Sequence, residues 1–226
     1  MRNGFSFRLL ALIALLCALV ATTPRPRTAQ AAPEPARVPC CGPIAPAGER
    51  LASILDSMNV ESLWLAHEHV NWETGEADRD ADYEGPGNHS HCSAFVAAAA
   101  KRLGVYLLRP PEHGQVLLAN AQADWLAGEA GARAGWRAIS GMEEAQRLAN
   151  RGTLVLVLYR NPDRHVPGHI AIVRPSEKSA RALEENGPEI IQAGEHNHNK
   201  TNVRIGFENH PGAWPGGVLY YAHDLP

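Results

Sequence analysis

A cysteine, a histidine and a glutamine follow one another along this chain in an order that could support nucleophilic chemistry. Cys92 stands between the polar stretch "NHSH" and the small apolar run "SAFVAAAA". That placement predicts a thiol at the entrance of a buried helix, where unpaired backbone N–H groups favour the thiolate. His169 opens "GHIAIV" and Gln192 closes "EIIQ", and both runs read as strands. A thiol nucleophile needs an imidazole to take its proton and a third polar group to orient the ring. Cys92, His169 and Gln192 can fill those roles if the helix packs against the strands. Ser93 could cap the helix or donate to a substrate oxygen, and the backbone N–H of Cys92 is the expected oxyanion donor. The competing reading of Cys92 is plain packing, because a free cysteine is also a small hydrophobe.

The elements that must hold these groups can be read from hydrophobic period and punctuation. Leu51, Leu55, Met58 and Leu63 fall at helical intervals. The alanine-rich run from Cys92 should stop around Gly104, and a further helix is expected between Pro111 and Gly128. Strands are expected over 152–160, 168–175, 188–194, 201–207 and 217–223, each a short β-branched or apolar run between turn residues. Gly168, just ahead of His169, would permit close backbone approach. Helices first and closely spaced strands afterwards predict an α+β fold, with an antiparallel sheet packed on the early helices.

The ends of the chain bear on compartment. "MRNGFSFR" followed by "LLALIALLCALV" is a basic start and an apolar run too short to span a bilayer, and "AQA" at 29–31 offers a cleavage site. Residues 1–31 therefore read as a signal peptide, 32–48 as a proline-rich tether, and 49–226 as a single domain. The expected product is periplasmic or secreted and does not span a membrane after cleavage. Removing the four arginines of 1–31, which contains no acidic residue, would take the formal charge from −3 to −7. That balance argues against a nucleic-acid partner, which needs clustered positive charge. Cys40, Cys41 and Cys92 would remain, an odd number. Adjacent Cys40 and Cys41 are not expected to pair with each other; either could link to another chain or reach Cys92.

"HCSAFVAAAAKRLGV", "LANRGTLVLVL", "GHIAIVRP" and "EIIQAG", taken in this order, resemble the papain-like cell-wall amidases and peptidases, the group with NlpC-type and CHAP-type domains. The resemblance covers roughly Ser57 to His223. It implies a papain-like fold in which an N-terminal helix carries the nucleophile and the sheet carries its partners. It also implies Cys92 as nucleophile, His169 as base, Gln192 as the orienting residue, no cofactor, and the amide bonds of peptidoglycan stem peptides as substrate. Two departures stand out. His91 occupies the position where the family usually has Asp or Asn, and the segment between Cys92 and His169 is long enough to need an extra helix or lid near "ANAQADWLAG".

Around this constellation, His91 and Tyr83 are expected to line the substrate cleft. Trp64 and Trp72 could extend an aromatic wall or simply cover the core edge. Glu195 and Asn197 rival Gln192 as orienting residues. The repeated "HEH" (His67, His69), "HSH" (His89, His91) and "HNH" (His196, His198) support a different class of function. Residues two apart face the same way on a strand, so such pairs could hold zinc in a hydrolase or a metal-binding module. Against this stands the absence of "HExxH" or paired "CxxC", and no metal is expected. The third alternative is a non-catalytic envelope-binding protein, favoured if Cys92 lies buried away from His169.

Overall fold

Two apolar stripes on the same strands account for the architecture. In a computed structural model that describes residues 39–87 and 89–226, the helices and strands run in the order α1 (Pro46–Asp56), α2 (Cys92–Arg102), α3 (Leu118–Ala127), α4 (Glu129–Arg133), β1 (Arg137–Ile139), α5 (Met142–Asn150), β2 (Leu154–Tyr159), β3 (His169–Val173), α6 (Ala180–Asn186), β4 (Glu189–Gln192), β5 (His198–Asn202), α7 (Val203–Gly206) and β6 (Leu219–His223). The strands form one antiparallel sheet in the order β1-β6-β2-β3-β4-β5. The fold is therefore mixed α+β, with helices packed against an antiparallel sheet.

The strand period of two divides the sheet's side chains between two cores. Leu154, Leu156 and Leu158 of β2, with Ile170 and Ile172 of β3, meet α1, α2 and α3 on one face. Val155, Val157, Ala171 and Val173 turn to the other face, against Ala145 and Ala149 of α5 and Val203 and Phe207 near α7. All of β2 and β3 is buried, which is why both read as continuous apolar runs rather than as alternating ones. Helix α2 is buried along Cys92 to Ala100. A helix apolar on every side belongs inside, and its alanines let the sheet, α3 and the Trp64–Phe95 pair come close.

Several expectations need correction. The docked chain starts before residue 49, since α1 begins at Pro46 and Asn150 Nδ2 donates to Gly42 O at 2.9 Å. Cys40 and Cys41 are bonded to each other, and Cys92 is a free thiol. The adjacent pair closes because the chain turns there, with Gly42 at φ +77° and Cys40 N donating to Lys178 O at 3.0 Å. The bond lies within the chain, so neither cysteine is left to link a partner or to reach Cys92. The strand expected over 201–207 is split: β5 ends at Asn202, whose side chain caps α7 by accepting from Ile205 N. The expected signal peptide lies outside the described residues. Among those described, no helix is long and apolar enough to cross a membrane.

Candidate functional site

The start of β3 is where His169 and Gln192 meet. Gly168 turns the chain into that strand against the end of β2. A Cβ there would sit 2.2 Å from Tyr159 O and 2.6 Å from Asn120 Oδ1, so only glycine admits this approach. Asn120 of α3 ties down the connecting loop, donating to Val166 O at 2.9 Å and accepting from Asn161 N at 3.1 Å. His169 follows in register with Tyr159 and is 4 % exposed.

One strand over, Gln192 ends β4 and is 5 % exposed. Its Nε2 donates to His196 O at 3.2 Å, which fixes Oε1 as the acceptor. His169 Nε2–H donates to that oxygen at 2.9 Å. The network assigns the imidazole proton to Nε2 and leaves Nδ1 as a bare lone pair, the form a general base needs. Gly206 makes room for the amide: a Cβ there would lie 2.5 Å from Gln192 Oε1. Phe207 meets the His169 ring edge-on at 4.7 Å, and His210 stacks on it at 5.1 Å.

Cys92 approaches the same strand end from the other face of the sheet. It is the first residue of α2 and 6 % exposed. Its sulfur is served by the backbone N–H of Ile170, the residue after His169, and by the Ser93 hydroxyl. Among the described residues, no hydrogen bond joins Cys92 to His169; the ring's one hydrogen bond is to Gln192. Burial pushes the Cys92 thiol up, against the pull of the Ile170 and Ser93 donors toward the thiolate. Burial also lowers His169 to about 4, opposed by the Gln192 hydrogen bond. At neutral pH both groups are uncharged.

A cavity of about 480 Å³ opens beside His169 and Gln192, with Ser90, His196, His198, Glu208 and His210 also on its wall. His210 is depressed to about 4, chiefly by burial and then by repulsion from His169.

The expected cleft residues are elsewhere. His91, 1 % exposed, caps nothing with its side chain and donates from Nε2 to Glu68 O at 2.8 Å. Burial lowers it to about 4. Tyr83 folds back on its own loop, its hydroxyl donating to Pro86 O at 3.2 Å and its ring against His69. Ser93 faces the Cys92 sulfur and neither caps α2 nor lines the cavity. Trp64 belongs to the core. Of the rival orienting residues, Glu195 pairs with His67 at 2.7 Å. Asn197 Nδ2 donates to Val60 O, Leu63 O and Trp64 O. Neither residue bonds to His169.

The histidine pairs are engaged in different ways: the His89 and His91 rings lie 5.2 Å apart, and His196 and His198 both line the cavity. His67 is with Glu195, His69 Nδ1 with Asp78, and His89 and His91 with backbone carbonyls. Among the described residues, no group of three or more His, Cys, Asp or Glu side chains is arranged to hold a metal. Sequence reading missed His210 and Gly206. Nothing in the local pattern marks "ENHPG" as a partner of "GHIAIV" before the sheet order is known.

Compared with known proteins, the chain matches no protein-family model and no curated protein.

Proposed function

We propose that this protein is a papain-like cysteine amidase or peptidase, with Cys92 as nucleophile, His169 as base and Gln192 as the residue that orients the base. The observation that carries the reading is the His169–Gln192 hydrogen bond at 2.9 Å. Cys92 lies in the core beside Ile170, the residue after His169. His169 Nδ1 takes the thiol proton as sulfur attacks an amide carbon. The tetrahedral oxyanion collapses, the protonated imidazole gives its proton to the leaving amine, and water then hydrolyses the thioester. Cys92 packs with Ile170 on the face opposite Phe207 and His210, which contact the His169 ring, so the reading requires the start of α2 or of β3 to shift when substrate binds. The substrate class, peptidoglycan stem peptides met outside the cytoplasm, rests on the sequence resemblance and the expected signal peptide.

The burial of Cys92 and its absence from the cavity wall favour one second reading, a binding protein that does no chemistry. Digesting purified peptidoglycan and identifying the released fragments by mass spectrometry separates the two. Hydrolysis that is abolished in a folded Cys92→Ala variant supports the amidase. Hydrolysis retained in that variant, or none by the wild-type protein, removes it.

A further inference from the structure

Three arginines converge on a second cavity, of about 500 Å³, near the far end of α2 from Cys92. Arg50 lies on α1, Arg102 ends α2 and Arg151 follows the last residue of α5. At 1.5 Å per residue, Arg102 stands about 15 Å along the helix axis from Cys92. All three are exposed, and none makes an ion pair or side-chain hydrogen bond among the described residues. Many arginines elsewhere face carboxylates: Arg133 has Glu129, Arg147 has Glu144, Arg174 has Asp56, Arg181 has Glu185, and Arg160 and Arg164 share Asp124. The acidic side chain on this cavity's wall, Asp224, is already held by Arg137 and Thr153. Two of the three arginines sit at helix C-termini, where the dipole welcomes a cation. That explains their position but leaves their outer N–H groups without a partner among the described residues, with up to five donors on each guanidinium.

Guanidinium forks match phosphate oxygens in pairs, and a concave site concentrates the field of several of them. The floor is apolar, formed by Leu51, Ile54 and Leu103. The exposed large apolar side chains, Val116, Val166, Ile205 and Leu219, are not on this cavity, so nothing here is shaped to enter a bilayer. We propose that the cavity is an anion site for the phosphodiester of a polyol-phosphate chain, gripped by Arg50, Arg102 and Arg151. It would hold the protein on a phosphate-bearing polymer while the other end of α2 remains free. The proposal is independent of the chemistry assigned to Cys92.

Fluorescence anisotropy of labelled poly(glycerol phosphate) at low salt tests it on the wild type, an R50Q/R102Q/R151Q variant and an R133Q/R147Q/R181Q control of equal net charge. The expected result is saturable wild-type binding, weakened about tenfold or more in the cavity variant and less than about twofold in the control. The salt slope should become shallower by about 2. The single variants should each weaken binding in the same direction, which keeps the readout if the triple variant misfolds, and Cys92→Ala should bind as wild type. No saturable binding, equal loss in both triple variants, or binding to phosphatidylglycerol vesicles without binding to the polymer would each overturn the proposal.

Discussion

At the scale of single residues, burial sets the protonation states at the site. His169 is lowered to about 4 and the Cys92 thiol is raised, so the two groups rest as thiol and neutral imidazole, and in the proposed mechanism attack would proceed by general-base transfer. The imidazole is competent wherever it is unprotonated, which here extends well below neutrality. An ordinary imidazole, titrating at 6.5, would be about nine-tenths protonated at pH 5.5. We therefore expect kcat/KM on a soluble muropeptide to hold between pH 7 and pH 5.5 and to fall only as the pH nears 4. A midpoint near 6.5 in the acid limb would contradict the burial argument. Gly206→Ala offers an independent handle on Gln192, because the added methyl would sit 2.5 Å from Oε1 and 2.6 Å from Ile190 Cδ1. Displacing the amide by an ångström should cost about a hundredfold in rate, matching Gln192→Ala with little further loss in a double variant. Full additivity of the two changes would show that Gly206 acts elsewhere.

At the scale of elements, the polar side chains that looked like rivals for the chemistry are fasteners. Asn197 joins the β4–β5 turn to the turn after α1, receiving Gly194 N at 3.0 Å and donating to three carbonyls between Val60 and Trp64. Asn197→Ala should lower stability by about 1–3 kcal/mol, read as a shift in urea midpoint, while leaving the pH profile of any hydrolysis unchanged. A large rate loss without destabilisation would return Asn197 to the orienting role. The chain announces its major elements clearly where period and punctuation agree: "CSAFVAAAAKR", "LVLVLY" and "HIAIV" are each a helix or strand as read, and Gly168 makes the close approach its neighbours implied. It is opaque where tertiary contacts decide. Helix α5 is amphipathic, with Ala145 and Ala149 buried, but its short polar sequence passes for a loop. "TNVRIGF" has strand composition, yet the Asn202 cap turns it into α7. His91 directly precedes Cys92 and Tyr83 lies nine residues upstream, but loop packing turns both away from the cavity, which sequence proximity cannot reveal.

At the scale of the whole molecule, three imidazoles held neutral make the fold sensitive to acid. His91, His169 and His210 are each lowered to about 4, with burial the first cause in every case. In the unfolded chain each titrates near 6.5. Between those two values the unfolded chain binds protons that the folded chain refuses, so stability is complete above about 6.5, declines as the pH falls, and levels off below about 4. For a fully buried imidazole the difference amounts to about 3 kcal/mol; His210 is only part-buried and contributes less after screening. His169 and His210 also stack on each other, so protonating one hinders the other and their losses are not independent. The urea midpoint should therefore be clearly lower at pH 4.5 than at pH 7.5. His91→Gln, which removes one buried imidazole outside the proposed catalytic group, should narrow that gap even if it costs stability at both pH values. Equal midpoints at the two pH values for the wild-type protein would mean that these histidines are hydrated or protonated in the folded state. The neutral base assigned to His169 would then fall together with the acid sensitivity.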